Sequence, residues 1–384
     1  MSSIPTHVRP PARRVFPSTR HDTGDAGGEP NRYRTRSPNA GMDLSIVDLS
    51  PVPDGGTATD AYANTVETAR QAERLGYERV WTAEHHGMAD RLAGTTPEVL
   101  LGRLAGATDE IRLGTGAMLL NHYSPLKAAE TFGALDALAP GRIDAGLGRA
   151  SNSPAVDRAL GTERRVQNPD EDHREKIEAV VGHLYNAYPN GHPYADIELP
   201  RSDAAAPVPW VLGSDPSSAA IAGELGLRYC FAAFIRPANA VASFEAYREH
   251  FDPGTLPGGP DEPEGMVAVN AVAGETDEAA ARRRAVAEAS FQRLARGEAG
   301  TTPDIEEAVD ELGGVPDPTP EALNDDEWPR AISGNPDTLA SLLDQLADRV
   351  GVDELMIQHV VPDHETALDS HARIAEGVGL DGRT

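Results

Sequence analysis

Residues 79–86 read RVWTAEHH, a short apolar run that ends in a carboxylate and two imidazoles. A run of this length that is rich in β-branched and aromatic residues predicts a buried strand, here over 79–83. Before it, residues 59–75 place Ala and Leu at helical spacing, and Gly76 is a typical helix stop. Residues 42–49 alternate apolar and polar side chains, as a strand does. Together these segments predict a strand–helix–strand unit.

The same alternation continues to the C-terminus. Further strands are predicted at 111–120, 142–147, 208–212, 229–234, 266–272 and 354–360. Helices are predicted at 96–104, 124–138, 172–185, 217–225, 238–251, 276–295, 337–350 and 364–378. Eight strands with intervening helices predict an α/β fold, a TIM (β/α)8 barrel with insertions. A doubly wound open sheet is the alternative, but it would carry a Gly-rich turn after its first strand, and residues 50–53 read SPVP.

The barrel is predicted to span 42–384, preceded by a different kind of segment. Residues 1–41 contain seven Arg, many Pro and Gly, and no periodic apolar pattern, which predicts a disordered basic tail. Because Met42 directly precedes the first strand, part of this tail could result from a start codon placed too early. Acidic insertions are expected at 252–265 and 297–329. The second is interpreted either as solvated acidic surface or as an active-site lid.

The charge of the chain is strongly negative, with 61 acidic residues against 34 basic ones and a formal net charge of −27. Such a surface is typical of a halophilic protein in a salt-rich cytoplasm, where ions screen self-repulsion. It argues against nucleic acid as a partner, because phosphates would be repelled. The single cysteine, Cys230, lies in an apolar run that predicts a core position. No apolar run is long enough to span a membrane.

The polar end of the 79–86 stretch is the first candidate site, because barrel enzymes carry their chemistry at the C-terminal ends of strands. Along a strand, Glu84 and His86 would share one face and His85 the other, which argues against one metal ion held by all three. We therefore predict no metal site. A general acid/base histidine oriented by a carboxylate is the functional interpretation. A histidine pair that merely caps the strand end with hydrogen bonds is the structural alternative.

Four further segments, in order along the chain, add to this stretch and together form a pattern that is specific to one family. They are IRLGTGA (111–117), NHYSPLK (121–127), PGRIDAGLGR (140–149) and LGSDPSSA (212–219). With the W-x-A-E-H-H pattern at 81–86, the chain resembles the bacterial luciferase-like, flavin-dependent monooxygenase family. The resemblance covers Met42 to about Gly379, and it implies the same barrel fold.

The resemblance also implies roles for individual residues. His85 matches the catalytic histidine, which acts as a base or proton shuttle beside the flavin, while Glu84 and His86 orient it or shape the substrate pocket. Gly116-Ala117 matches a cis peptide beneath the flavin ring. The other implied flavin contacts are Asn121, His122, Lys127, Arg149, Gly213, Ser214 and Ser217. Lys127 departs from the family's Arg and loses its bidentate fork, and for Ser217 a simple helix N-cap is the alternative.

The activity implied by the resemblance is a monooxygenase reaction. Reduced FMN supplied by a separate reductase would react with O₂, and a small aldehyde or ketone-like molecule would be oxidised, in a protein that forms homodimers through its second and third helices. Two alternatives stay open: hydride transfer with a deazaflavin coenzyme, and a non-catalytic flavin-binding protein. An unrelated barrel hydrolase would need paired carboxylates, and Glu84 and Asp215 are not an obvious pair.

Overall fold

The computed structural model describes residues 41–150, 153–161, 168–200, 202–203, 205–298, 302–324, 328–361 and 363–382. Apart from Gly41, the tail predicted at 1–41 lies outside these residues. The strands are β1 (Asp43–Asp48), β2 (Arg79–Thr82), β3 (Arg112–Thr115), β4 (Met118–Leu119), β5 (Ile143–Gly148), β6 (Val208–Gly213), β7 (Arg228–Ala232), β8 (Gly265–Ala273), β9 (Ala331–Gly334) and β10 (Glu354–Gln358).

The helices alternate with these strands. They are α1 (Ala58–Leu75), α2 (Pro97–Ala105), α3 (Pro125–Leu138), α4 (Pro154–Ala159), α5 (Pro169–Leu184), α6 (Pro216–Glu224), α7 (Ala240–Glu249), α8 (Asp277–Ala295), α9 (Ile305–Leu312), α10 (Pro336–Val350) and α11 (His364–Val378). Among the described residues, no helix combines the length and the apolar composition that crossing a membrane requires.

Eight parallel strands close into a barrel. Their neighbours run β10, β1, β2, β3, β5, β6, β7 and β8, and β8 pairs with β10 to complete the circle. Leu355 in β10 shows the closure, because it lies opposite Leu44 of β1 on one side and Val267 of β8 on the other. The predicted TIM barrel is confirmed, and the open doubly wound sheet is excluded.

The third predicted strand is the clearest difference in element boundaries. The prediction of one strand over 111–120 was wrong, because the chain forms β3 and the short β4 with a cis peptide between Gly116 and Ala117. β3 pairs with both β2 and β5, whereas β4 pairs with β5 alone. The backbone N–H of Leu119 instead donates to the Glu84 side chain, at 2.9 Å. A side chain after β2 thus takes the hydrogen bond that a neighbouring strand would otherwise provide.

The acidic 297–329 segment contains a helix, α9, that the sequence analysis did not predict. Ala308 of α9 is fully buried in a small cluster with Ala285 and Ala289 of α8. On the outer side, Glu307 and Glu311 pair with Arg293 of α8 at 2.8 and 2.7 Å. β9, also unpredicted, follows this segment and pairs with the end of β8. The segment is therefore packed against the barrel through α8.

The N-terminal end of the barrel interior is closed by ion pairs. Arg79 contacts Glu354 through Nε at 2.8 Å and Asp144 through Nη1 at 2.9 Å. Arg112 contacts the other Asp144 oxygen at 2.8 Å. Because Arg79, Asp144 and Glu354 belong to β2, β5 and β10, the network links strands across the barrel. Burial raises the pKa of Glu354, while the Arg79 guanidinium opposes that shift.

Above this network, two tryptophans fill the barrel. The rings of Trp81 and Trp210 meet edge to face, with centroids 5.9 Å apart, and Cys230 is buried in the same cluster, as predicted. Glycines on the next strands make room for Trp81. A Cβ on Gly114 would lie 2.3 Å from its ring, and a Cβ on Gly146 would lie 1.8 Å from the Thr115 carbonyl oxygen and 3.0 Å from the ring. The tryptophan layer and the cavity above it thus depend on these glycines.

We predict that Gly146→Ala destabilises the protein by about 1–3 kcal/mol, because the added methyl group has no space beside Thr115 and Trp81. The matched control is Gly106→Ala at the exposed end of α2, where a Cβ would meet no atom closer than 3.9 Å. The midpoint of urea unfolding measures both. Equal midpoints for the two variants would show that the Trp81 layer tolerates a methyl group and is not closely packed.

Candidate functional site

A cavity of about 530 Å³ opens at the C-terminal ends of the barrel strands. Predicted site residues that line it are Glu84, His85, His86, Gly116, Ala117, Arg149, Gly213 and Ser214. They come from the ends of β2, β3, β5 and β6, as expected for a barrel enzyme. The lining also includes residues that the sequence analysis did not single out, among them His173, Phe234 and Gln358.

Glu84 is a buried carboxylate with both oxygens engaged. Its side chain is 1% exposed; Oε1 lies 2.7 Å from His86 Nε2, and Oε2 accepts the Leu119 N–H. Burial raises its pKa, an effect opposed by the hydrogen bonds from Leu119 and His86. The contact with His86 agrees with strand alternation, which placed these two side chains on one face. Glu84 therefore fixes both the orientation of His86 and the position of β4.

His85 takes no part in the contact between Glu84 and His86, which agrees with the expectation from strand alternation. Its backbone N–H donates to the Gly94 carbonyl at 2.7 Å, which fixes the turn after β2. The ring lines the main cavity and also a second cavity beside it. Nδ1 is buried and has no hydrogen-bond partner among the described residues. Burial, together with the charge of His86, lowers the pKa of His85, so the imidazole is neutral near pH 7 and can accept or donate one proton.

A cluster that the sequence did not predict forms around His86. Its ring contacts that of His122 edge to face, with centroids 5.1 Å apart. One ligand atom each from Glu84, His86 and His122 lies within 4.8 Å of the others, a spacing that a metal ion could bridge. Strand alternation correctly separated His85 from this group, but it could not reveal that His122 arrives from the turn after β4. Within the group, Glu84 and His86 form a hydrogen bond with each other.

The cis peptide that the resemblance implied is present between Gly116 and Ala117, and both residues line the cavity. The size of Gly116 has a local reason, because a Cβ there would lie 2.9 Å from the Cβ of Trp81 and 3.4 Å from Val47 Cγ2. Glycine is thus required by the tryptophan layer below. Ala117 offers the small side chain that faces the cavity.

The segment after β5 brings a cation, Arg149, to the cavity wall. Arg149 Nη2 pairs with Asp170, whereas Nη1 is buried and has no hydrogen-bond partner among the described residues. Nearby, burial and the charge of Arg149 lower the pKa of His173 to about 4, so this imidazole is neutral. A half-buried guanidinium with an unused N–H is a site for an anionic group.

Ser217 and Lys127 do not line this cavity. The Ser217 hydroxyl donates to Asp215 at 2.8 Å, and Asp215, rather than Ser217, is the N-cap of α6. Lys127 is 68% exposed at its side chain, and its Nζ lies 3.6 Å from Glu130 on the outside of α3. Ser214, which precedes the N-cap Asp215 of α6, does line the cavity and offers a hydroxyl group there.

Asn121 and His122 lie beside the cavity rather than in its wall. Asn121 Nδ2 donates to the Ala150 carbonyl at 3.0 Å, which ties the turn after β4 to the segment that carries Arg149. Strand-end position alone would have identified Gln358, the last residue of β10. His173 and Phe234 lie on α5 and after β7, and no motif signals that they reach the cavity.

Comparison with known proteins places this geometry in a family. The sequence profile of the luciferase-like monooxygenases matches residues 42–354. A luciferase-like monooxygenase of Escherichia coli is 32% identical over 328 residues, which cover 85% of this chain and 94% of that protein. The chain belongs to the luciferase-like monooxygenase family. It is accordingly an oxidoreductase.

Other luciferase-like relatives agree in length and fold. The Bacillus subtilis protein YvbT is 36% identical over 335 residues, covering 87% of this chain and 96% of that protein. The crystal structure of apo-MsnO8 superposes with a TM-score of 0.79 at 36% identity, over 89% of this chain and all of that chain. The likeness therefore extends over almost the whole barrel.

Less similar proteins carry the name of a ligand, a coenzyme or a component in their descriptions. The oxygenating constituent of 3,6-diketocamphane monooxygenase from Pseudomonas putida, solved with FMN, has a TM-score of 0.64 at 20% identity. An F420-dependent secondary alcohol dehydrogenase has a TM-score of 0.60 at 15% identity. At these identities the likeness shows the fold alone. In sequence, the oxygenase component of a flavin-dependent trigonelline monooxygenase from Acinetobacter baylyi is 28% identical over 189 residues.

Proposed function

We propose that this protein is a monooxygenase that uses reduced FMN and O₂ to oxidise a small organic substrate. Family membership supports the reaction class, and the site supports the cofactor. The observation that carries the proposal is the presence, in one cavity, of a guanidinium N–H and a neutral imidazole that both lack a hydrogen-bond partner among the described residues. FMN offers a phosphate for the first and a redox-active ring for the second.

The phosphate end has the donors that a flavin phosphate needs. Arg149 would bind the phosphate through Nη1, and Ser214, just before α6, would add a hydroxyl donor. Asp215 brings a negative charge to the same turn, but it accepts hydrogen bonds from Ser217 and Ser218 and lies 3.5 Å from Arg236. These contacts hold the carboxylate in its cap position, so that Arg149 remains the group that faces the cavity.

The ring end is mostly apolar. Ala83, Ala117, Leu212 and Phe234 supply its walls, and the Trp81 layer lies beneath it. Such walls suit a planar aromatic system and exclude water from the reacting atoms. When bound, reduced FMN would supply the activation of O₂. We assign the proton in that chemistry to His85, whose buried Nδ1 can accept or deliver it.

The remaining parts of the reaction follow from the same family. A separate flavin reductase would provide the reduced FMN, as the name "oxygenase component" implies for the trigonelline enzyme. We also propose a homodimer formed through α2 and α3. On these helices Val99 is 69% exposed and Leu138 64% exposed, so that both offer an apolar side chain to a partner subunit.

We predict that the protein, supplied with reduced FMN and ¹⁸O₂, transfers one labelled oxygen atom to an aldehyde, ketone or thioether. His85→Ala should lower the rate by about 10²–10⁴-fold, because general acid–base catalysis contributes that much. His250→Ala, at the exposed C-cap position that follows α7, is the matched control and should keep full activity. Mass spectrometry of the product measures the label, which separates this reaction from the uncoupled oxidation of free flavin.

If no label enters any product while a reduced deazaflavin coenzyme binds tightly and reduces a carbonyl compound, hydride transfer replaces the monooxygenase proposal. Binding of FMN with neither reaction would support the non-catalytic flavin-binding alternative instead.

A second prediction concerns the phosphate. Wild-type protein should bind FMN more tightly than riboflavin, and Arg149→Gln should reduce this preference by about tenfold or more, since a charge-assisted hydrogen bond contributes about 1.5–3 kcal/mol. Lys127→Gln removes the same charge outside the cavity and should leave the preference intact. Flavin fluorescence titration measures all six affinities, those of the three proteins for FMN and for riboflavin. The assignment of Arg149 fails if Lys127→Gln abolishes the preference and Arg149→Gln does not.

A further inference from the structure

A second cavity of about 330 Å³ adjoins the flavin cavity. The two share five lining residues, including His85 and Gln358, so the second cavity ends where the proposed reaction takes place. Its other walls come from the loops after β1, β2 and β10 and from one face of α8. Leu92 and Phe291 give it an apolar surface. A cavity of this size next to the ring has the volume of a small-molecule site.

Several buried polar atoms along this cavity have no hydrogen-bond partner among the described residues. They are His371 Nδ1 and Nε2, Ser290 Oγ, Gln358 Oε1, His85 Nδ1 and Arg91 Nε. His371 is 3% exposed and Ser290 7% exposed. Buried polar groups in proteins are nearly always hydrogen-bonded, so such a concentration along one cavity indicates a ligand that carries polar groups of its own.

The charged side chains around the cavity indicate which polar group a ligand would carry. Asp363 already accepts two hydrogen bonds from Thr366, at 2.8 and 2.7 Å. Asp48 accepts hydrogen bonds from Ser50 and Thr65, and His364 lies 3.1 Å from Glu67. Both acidic side chains are therefore engaged within the protein. Among the described residues around this cavity, the charged group without a partner is a cation, Arg91.

Arg91 is half-buried, and no carboxylate of the described part of the chain lies within ion-pair distance of it. Its backbone is held firmly: the Arg91 N–H donates to the Met88 carbonyl at 2.9 Å, and its own carbonyl accepts the Val52 N–H at 2.8 Å. The adjoining Leu92 forms a bridge with Pro51. A positioned guanidinium with a buried, unpaired N–H matches a carboxylate in geometry and charge.

We infer that the second cavity binds the organic substrate and that this substrate is a carboxylic acid. Arg91 binds the carboxylate, Leu92 and Phe291 contact the apolar part, and Ser290 and His371 hydrogen-bond a further polar group such as an amide. The atom to be oxidised lies toward His85 and Gln358. This assignment rests on the proposed oxygenase function, but the binding site can be tested without flavin.

The test compares two ligands that differ only in charge, N-acetyl-L-leucine and N-acetyl-L-leucinamide, by calorimetry on the full chain without flavin. The acid should bind about 10–100-fold more tightly than the amide, the range for a hydrogen bond to a charged group. Arg91→Gln should lower the affinity for the acid to that for the amide. Arg91→Lys, which keeps the charge without the planar guanidinium, should have an affinity for the acid between those of the wild type and Arg91→Gln. Arg74→Gln, exposed on α1, is the matched control and should behave as wild type.

Equal affinities of the acid and the amide for the unsubstituted protein would overturn the inference, and this comparison needs no variant to fold. Absence of binding by both ligands, or a preference for the acid that survives Arg91→Gln, would overturn it as well. Titration with reduced FMN is measured separately. FMN binding without a preference for the acid leaves the flavin proposal standing and removes the substrate class, whereas a preference for the acid without FMN binding removes the flavin proposal.

Discussion

The packing of Trp81 against the backbone of its neighbouring strands is the constraint on which the rest of the structure depends. The ring occupies the space that side chains at Gly114 and Gly146 would need. It thereby separates a charged lower layer, with Arg79 bound to Glu354 and Asp144, from the cavity above. Because side chains alternate along β2, Arg79, Trp81 and Ala83 all face the interior. One strand thus supplies the base of the barrel, the floor of the cavity and part of its wall.

The two cavities carry positive side chains, although the chain as a whole is strongly acidic. The protein carries a formal net charge of −27, yet Arg149 and Arg91 each have, at a cavity wall, a buried nitrogen without a hydrogen-bond partner in the described part of the chain. The buried histidines are neutral, because burial lowers the pKa of His85, His173 and His371. Two localised positive sites on an otherwise acidic protein would draw anionic groups to defined points.

Much of the fold could be predicted from the sequence, because a barrel repeats one local pattern eight times. The apolar run within 79–86 correctly predicts β2 and the polar residues at its end, and the alternation of side chains along a strand predicts that Glu84 and His86 share one face. The strand break at Gly116-Ala117 was not visible in an apolar run that continues across it. α9 was missed although Ile305, Ala308, Val309 and Leu312 have helical spacing, because its many acidic residues were interpreted as solvated surface.

The site was harder to predict, because its contacts are tertiary. Residues such as His122 and His173 reach the site region from a turn and a helix, and nothing in their local sequence signals it. Lys127 matched a motif position, but the structure places its side chain on the outside of α3 beside Glu130. Second-cavity residues such as Arg91 and Phe291 lie about 200 positions apart along the chain, so only the folded barrel brings them to one cavity.

The most direct test of the central claim is a crystal structure of the full chain with FMN. We expect the phosphate to bind Arg149 and Ser214, the isoalloxazine ring to lie beside His85 and Ala117, and the cavity at Arg91 to stay open for substrate. A flavin bound with its phosphate at Arg91, or with its ring away from His85, would contradict that claim.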